Sequence, residues 1–165
     1  MRYVTVAVAC AALGLAIPGL AQKLPWETSG GANPQQLVHF LYPQQVTVAS
    51  GKPSTIEMHF RINDGLHINS HTPRQKSLIR TELMEEEPDG VNIASVDFPP
   101  GGDFAFPADP SEKLSVYSGE IVLKMHLTAA RGNHLLEGAL HYQACDTNTC
   151  FPPRNLPVDI SVIGN

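Results

Sequence analysis

Charge is scarce in this sequence. Only 16% of the 165 residues are charged, the formal net charge is −5, and no cluster of Lys or Arg occurs. Because nucleic-acid-binding proteins carry basic patches, we expect no nucleic acid partner. The sequence also lacks a glycine-rich phosphate loop, a Gly-x-Ser-x-Gly elbow and a His-Glu-x-x-His motif. These absences argue against a nucleotide-binding enzyme, a serine hydrolase and a zinc peptidase.

Cysteine is also rare, with only Cys10, Cys145 and Cys150. Residues 1–21 combine one arginine, an apolar run, the break at Pro18 and small residues before Gln22, a pattern typical of a secretory leader cleaved near Ala21. A retained membrane anchor is the alternative interpretation. Cleavage would remove Cys10 and leave one cysteine pair in an exported, periplasmic protein, where disulfides persist. We then expect no stable membrane insertion.

The remainder predicts one domain rather than two. Residues 22–34 are polar and glycine-rich and are interpreted as a flexible N-terminal arm, which leaves 35–165 as a single domain. Alternation of apolar and polar residues predicts strands, most clearly over residues 54–62. Further strands are predicted at 37–41, 45–48, 66–71, 91–98, 113–117, 120–127, 135–144 and 156–162.

Two stretches are harder to interpret. Residues 77–87 fit a short helix or a strand, and we favour the strand because strands surround it. Residues 99–110 contain Phe104, Phe106 and several prolines, and are predicted to form a long loop. About eight short strands at regular spacing, with 13 glycines and 14 prolines, predict an all-β, immunoglobulin-like antiparallel β-sandwich.

Cys145 and Cys150 lie on a turn between the last two predicted strands, at one end of the sandwich. Asp146, Thr147 and Asn148 favour a turn that brings the two sulfurs together. One interpretation is a structural disulfide, although so short a loop stabilises by only about 2 kcal/mol in the chain-entropy model. The other is a redox-active disulfide, since a local disulfide on a loop is accessible to reductants. The residues of the loop alone leave both open.

Seven histidines raise the question of a metal site. His67 and His71 would lie about 13 Å apart in one extended segment, too far apart to share an ion. His59 and His126 fall on predicted outward-facing strand positions, where solvated surface residues are expected. The possible metal ligands that lie nearest to one another in the sequence are His141, Cys145 and Cys150. We therefore expect neither a metal nor a cofactor.

Four short elements of the sequence resemble a known family. They are Tyr-Gln-Ala-Cys at residues 142–145, Cys-Phe-Pro-Pro at 150–153, Asp-Gly-Leu-His-Ile-Asn-Ser at 64–70 and Val-Tyr-Ser-Gly-Glu at 116–120. Together they are similar to the N-terminal periplasmic domain of the thiol:disulfide interchange protein DsbD, over roughly residues 37–162. The resemblance implies an immunoglobulin-like domain with a redox cysteine loop, which passes electrons from a thioredoxin-like or membrane electron-donor protein to oxidised exported proteins.

The resemblance also implies roles for single residues. Cys150 would form the mixed disulfide with partners and Cys145 would resolve it, so the chain would act as an oxidoreductase-type electron carrier. The alternative is a non-catalytic immunoglobulin-like binding or structural module with a short disulfide. Tyr142, Phe151 and Tyr117 are candidates to line the site, although core packing accounts for Tyr142 equally well.

The sequence departs from the family pattern in two respects. It has neither the membrane domain nor the thioredoxin-like domain of the parent protein, so we expect the reductant on another polypeptide. Pro110 and Ser111 stand where the family has an aromatic cap loop, and Phe104 or Phe106 is predicted to replace it.

Because no cation lies inside the cysteine loop, we also predict that Cys150 has no strongly lowered thiol pKa and reacts slowly without a docked partner.

Overall fold

The computed structural model describes residues 36–42, 45–107 and 109–165. The predicted leader and the whole of the predicted arm lie outside these residues. Within them all regular structure is β-strand, and no helix that could cross a membrane is found. The strands are β1 (Val38–Phe40), β2 (Gln45–Val48), β3 (Ser54–Ile62), β4 (His67–Asn69), β5 (Glu82–Glu86), β6 (Val91–Asp97), β7 (Gly102–Phe106), β8 (Asp109–Tyr117), β9 (Glu120–Ala129), β10 (Gly132–Tyr142), β11 (Ala144–Cys145), β12 (Arg154–Pro157) and β13 (Ile160–Gly164).

The first sheet has the strand order β1-β3-β9-β6, and all its pairs are antiparallel. In β3 the predicted alternation holds, because Ile56, Met58, Phe60 and Ile62 are buried. Strand β9 pairs with β3 along most of its length and buries its own alternate residues, Leu123 and Met125 among them. The period of two thus gives this sheet one apolar face.

The second sheet has the order β12-β10-β13-β2, with β5 also paired to β10. Its pairs are antiparallel apart from the parallel pair of β13 and β2. Apolar side chains of both sheets meet in one core. Those of the second sheet include Leu136, Leu140, Leu156, Ile160 and Val162. This arrangement is the predicted immunoglobulin-like β-sandwich.

A smaller third sheet, of order β11-β4-β8-β7, carries the cysteine loop. Strand β4 follows the predicted Asp64-Gly65 turn, in which Gly65 has a φ of 78°. A side chain rarely adopts this conformation, which explains the glycine. The short strands β4 and β11 position the cysteine loop beside the hairpin of β7 and β8.

Several boundaries differ from the sequence prediction. Residues 99–110 are not a long loop: Gly102–Phe106 forms β7, and β8 begins at Asp109. The prolines and glycines around β7 hide the strand pattern in the sequence. The strand forms because it pairs with β8, with Phe104 opposite Leu114. The predicted strand 156–162 is interrupted between β12 and β13, yet its alternate residues stay buried. In the ambiguous stretch 77–87, only Glu82–Glu86 is a strand.

Candidate redox site

Cys145 and Cys150 form a disulfide, with their Cα atoms 4.0 Å apart. Cys145 belongs to β11 and is only 2% exposed, whereas Cys150 is exposed to solvent. The two sulfurs therefore differ in environment. A thiol from another protein can approach Cys150 from solvent, while Cys145 lies inside the fold.

The turn between the cysteines is held by Asp146. Its Oδ1 accepts hydrogen bonds from the backbone N–H groups of Asn148 and Thr149, at 2.7 and 2.8 Å. Its own backbone N–H donates to the carbonyl oxygen of Thr149 at 2.9 Å. Because the two backbone donors favour the charged carboxylate, the pKa of Asp146 is lowered. The residues that predicted a turn thus build it through Asx-type bonds.

The turn is also anchored where the chain leaves it. The backbone N–H of Phe151 donates to the carbonyl oxygen of Ala144 at 2.8 Å. The side-chain amide of Gln143 donates to the carbonyl oxygen of Phe151 at 3.2 Å. These bonds join the two flanks of the loop, so the positions of both cysteines are set by backbone contacts as well as by the disulfide.

His67 lies directly opposite Cys145 in the ladder between β4 and β11. Directly paired residues of antiparallel strands project from the same face, with Cβ atoms about 4.5–5.5 Å apart. His67 is 3% exposed, and burial lowers the pKa of its imidazole, an effect that the carboxylate of Asp146 partly opposes. The fold thus places a buried, predominantly neutral imidazole beside the buried cysteine.

Two phenylalanines of β7 pack around His67. The ring of Phe104 lies 4.0 Å from the imidazole, centroid to centroid, and the ring of Phe106 lies 6.1 Å away. Phe104 and Phe106 contact each other edge to face at 5.3 Å. The structure therefore brings both phenylalanines to the side chain that faces Cys145.

The tyrosines and Phe151 occupy different surroundings. The hydroxyl of Tyr117 donates to the carbonyl oxygen of Pro99 at 2.8 Å and accepts from the backbone N–H of His71 at 3.1 Å. Burial raises the pKa of Tyr117 and of Tyr142. Tyr142 is 2% exposed and belongs to the main core, against which the half-buried Phe151 packs.

A cleft of about 810 Å³ opens at this end of the molecule. Its lining includes His67, Phe104 and Tyr117, and also Thr147 from the cysteine loop. The cleft therefore borders the cysteine loop at Thr147.

A family model for the N-terminal part of the thiol:disulfide interchange protein DsbD matches residues 38–161. The chain belongs to this family. The matched range includes both cysteines, His67 and the strands that carry them. The structure is accordingly that of a DsbD N-terminal domain with a disulfide-forming cysteine pair.

Three solved structures are similar to this DsbD-family chain. The N-terminal domain of Neisseria meningitidis DsbD, in the reduced form, is 22% identical, with 66% of this chain and 77% of that chain covered and a TM-score of 0.46. The N-terminal periplasmic domain of ScsB from Proteus mirabilis is 13% identical, with 75% and 43% covered and a TM-score of 0.48. A chain from the complex of the DsbD and PilB N-terminal domains of Neisseria meningitidis is 19% identical. The match covers 64% of this chain and 73% of that chain, with a TM-score of 0.41. A comparison with curated proteins gave no match.

No metal centre accompanies the DsbD-type site in the part of the chain that the structure describes, where no three potential ligands cluster. His126 Nε2 is 2.9 Å from a carboxylate oxygen of Asp97, and His59 Nδ1 is 3.2 Å from one of Glu120. His141 Nδ1 lies 2.7 Å from the side-chain oxygen of Asn155. Each of these histidines is thus engaged with a neighbouring side chain.

The sequence reasoning missed His67 as a neighbour of the cysteines. It considered His67 only for a metal site with His71, and rejected that site because the two residues would lie too far apart. The residue lies within one of the four elements that carry the family resemblance, but its position opposite Cys145 depends on strand pairing between distant segments. Sequence periodicity does not report such a pairing.

Proposed function

We propose that the chain is a thiol:disulfide interchange module that passes electron pairs from a thioredoxin-like donor to oxidised exported proteins. The observation that carries the proposal is the unequal exposure of the bonded cysteines, with Cys150 accessible and Cys145 buried. Thiol–disulfide exchange proceeds through attack on one sulfur and release by a second thiol, and the unequal exposure supports a different sulfur for each step.

In the first half of the cycle the module is reduced. A donor thiolate attacks Cys150 Sγ, the bond to Cys145 breaks, and Cys145 leaves as the thiolate and takes up a proton. The second donor thiol then attacks the donor sulfur of the mixed disulfide and releases Cys150. The donor ends as a disulfide, and the module holds the two electrons as two thiols.

In the second half the module reduces a client. The Cys150 thiolate attacks the client disulfide and forms a mixed disulfide, while one client sulfur leaves. Cys145 then attacks Cys150 Sγ, which restores the Cys145–Cys150 disulfide and releases the second client thiol. Phe104 and Phe106 act as the cover of the site in place of the family's cap loop, and the cleft lined by Thr147 receives the partner's segment.

The proposal includes the organisation of the chain. Residues 1–21 are a leader removed near Ala21, residues 22–34 are a flexible arm, and residues 35–165 are the interchange domain. The site then lies in the periplasm, where both the donor and the oxidised clients meet it. Its cysteine chemistry needs no cofactor.

Trapping with single-cysteine variants tests the assigned roles. The Cys145→Ala variant, which keeps the exposed Cys150, is incubated with a thioredoxin-like donor whose resolving cysteine has been replaced and whose attacking thiol has been activated as an aromatic mixed disulfide. We expect a covalent complex in non-reducing electrophoresis and mass spectrometry. The matched Cys150→Ala variant should give little complex, because Cys145 is buried. Equal trapping by the two variants, or trapping through Cys145 alone, would contradict the assignment.

A further inference from the structure

One buried nitrogen beside the disulfide has no hydrogen-bond partner. Among the side chains that the structure describes, Nε2 of His67 is the buried polar atom left without one. Unpaired buried polar groups are rare because burial without a partner costs free energy, and they are retained at functional sites more readily than in plain cores. The position of His67 opposite Cys145 suggests which group the nitrogen serves.

We propose that His67 is the general base for Cys145 in the step that releases a client. When Cys145 attacks Cys150 Sγ of the mixed disulfide, the imidazole takes the proton from Cys145 Sγ–H. The new Sγ–Sγ bond forms as the bond from Cys150 to the client sulfur breaks, and the client leaves as a thiolate that takes up the proton. The step transfers only the electron pair of the thiol–disulfide exchange itself. The proposal rests on the proposed function.

The surroundings of His67 suit a proton acceptor. Because burial lowers the pKa of the imidazole, it is neutral at neutral pH and able to accept. The carboxylate of Asp146, on the same loop as Cys145, favours the imidazolium once it has formed. From β7 the side chains that contact His67 are the uncharged rings of Phe104 and Phe106, and from β8 the hydroxyl of Tyr117 is bound to Pro99.

The charged residues that line the adjacent cleft are engaged elsewhere. Asp103 forms ion pairs with Arg74 and Lys113, and Glu120 forms one with Arg61. The side chain of Glu120 also contacts His59. Asp146 is therefore the charged group that acts on the pKa of His67. Because Asp146 belongs to the cysteine loop, we expect the protonation of His67 to depend on the state of that loop.

The redox state changes what His67 can contact. In the disulfide, Cys145 has no S–H to donate, and His67 Nε2 stands unpaired. In the reduced protein and in the mixed disulfide, Cys145 carries a thiol on the same face of the ladder. A free thiol with a pKa of about 8.5 is only a few per cent thiolate at neutral pH, so a base at this position accelerates the attack by Cys145.

The test follows the second step of a reaction with an aromatic disulfide, 5,5′-dithiobis(2-nitrobenzoate). Reduced protein reacts first at the exposed Cys150 and releases one coloured thiolate. Attack by Cys145 on the resulting mixed disulfide then releases a second one. Stopped-flow absorbance separates the two rates, and no partner protein is present, so failure of this inference is distinguishable from failure to trap a donor.

The variant His67→Phe keeps an aromatic ring against Phe104 but removes the acceptor. We expect the second release to slow by about tenfold or more at neutral pH, with its pH profile moved towards the titration of a free thiol, while the first release stays within about twofold of wild type. The control His71→Phe makes the same exchange in a second histidine–phenylalanine stack, that of His71 on Phe98 at 4.0 Å. It should leave the second release unchanged.

A second variant keeps the test decisive if His67→Phe does not fold. His67→Gln retains a polar side chain that can hydrogen-bond but cannot take a proton in this pH range. It should also slow the second release and shift its pH profile. A wild-type second rate and pH profile in either folded variant would overturn the role of His67 as a base.

Discussion

At the scale of single residues, the site depends on two sulfurs in unlike surroundings. Cys145 is buried between β4 and the cysteine turn, while Cys150 faces solvent five positions later. This asymmetry follows from short-range bonds: Asp146 closes the turn, and the backbone of Phe151 returns to Ala144. A partner that meets the molecule from outside therefore meets Cys150 first.

The bonds of Asp146 predict a pH dependence of stability. Its folded-state pKa is lowered from 3.8, so its contribution is fully present above the unfolded value and is lost as the pH falls through the lower folded value. In Asp146→Asn the amide oxygen still accepts both backbone bonds without a charge. Between pH 6 and about pH 2, we expect the stability of the wild type to fall relative to Asp146→Asn.

Denaturant unfolding monitored at each pH measures this difference. Asp146→Ala serves as the comparison that removes the acceptor altogether, and it should be less stable than Asp146→Asn throughout. A wild-type stability that tracks Asp146→Asn in parallel across the whole pH range would contradict the role given to the carboxylate.

The residues of the site were only partly accessible to sequence reasoning. The cysteines and the turn formers between them are local in sequence, so their disulfide was predicted. His67 was missed because its closeness to Cys145 arises from pairing of β4 with β11. The prediction that Cys150 lacks a strongly lowered thiol pKa stays a prediction, since both cysteines are in the disulfide and do not titrate.

At the scale of elements, the hairpin of β7 and β8 shapes the surroundings of the cysteines. Its strand β7 places Phe104 on the imidazole of His67, and Phe106 supports Phe104 from the side. The connection before β7 is tied down separately, through the hydroxyl of Tyr117 on Pro99. The hairpin is thus tied down near its start and places two aromatic rings against His67 further along.

Truncation of Phe104, the proposed cover, should change the reactivity of the disulfide. In Phe104→Ala the ring over His67 is lost, which on the proposed role of Phe104 opens the buried Cys145 side of the disulfide, so small reductants should reduce it several times faster. The pKa of His67 should also rise towards its ordinary value as burial is relieved. Reduction kinetics with dithiothreitol and a histidine NMR titration measure the two effects.

Phe98→Ala is the matched control for this prediction. Phe98 stacks on His71 at the same ring distance of 4.0 Å, and His71 is not the histidine paired with Cys145. Both variants should lose stability by a similar amount, about 0.5–3 kcal/mol, but only Phe104→Ala should change the reduction rate. Equal acceleration in both variants would show general loosening rather than the loss of a cover.

The elements were predicted well where the alternation is regular. Strands β2 and β3 begin and end at the predicted residues, because one face of each is buried against the core. Strand β7 was wrongly predicted as loop, since its glycine- and proline-rich surroundings conceal a pairing with β8. In the last predicted strand the buried positions were predicted correctly. The break between β12 and β13 was not predicted, because the alternate burial continues through Val158.

At the scale of the whole molecule, the sandwich stands independently of the disulfide. The two larger sheets enclose a core that includes Met58, Leu123, Met125 and Leu140, each fully buried, and neither cysteine is needed to join those sheets. The fold class was predictable because alternation and turn spacing are summed over many strands. The parallel pairing of β2 with β13 was not predictable, since the alternation of apolar and polar residues does not determine which strand a strand pairs with or in which direction.

Reduction should therefore leave the molecule folded. The disulfide closes a loop of six residues, and breaking it should lower the free energy of unfolding by only about 2 kcal/mol. A core variant gives the contrast: Leu123→Ala should cost about 2–5 kcal/mol with the disulfide intact. Urea unfolding of oxidised and reduced protein provides the comparison, and unfolding on reduction alone would indicate a structural disulfide.

The reduction potential of the Cys145–Cys150 disulfide tests the central claim most directly. It can be measured by equilibrating the protein with glutathione or a thioredoxin-like protein of known potential and counting free thiols after acid quenching. For an interchange module we predict a value between about −180 and −270 mV, in the range of thiol–disulfide exchange proteins. A value below about −300 mV, with no exchange with the thioredoxin-like protein, would mark the bond as a structural disulfide and contradict the proposed function.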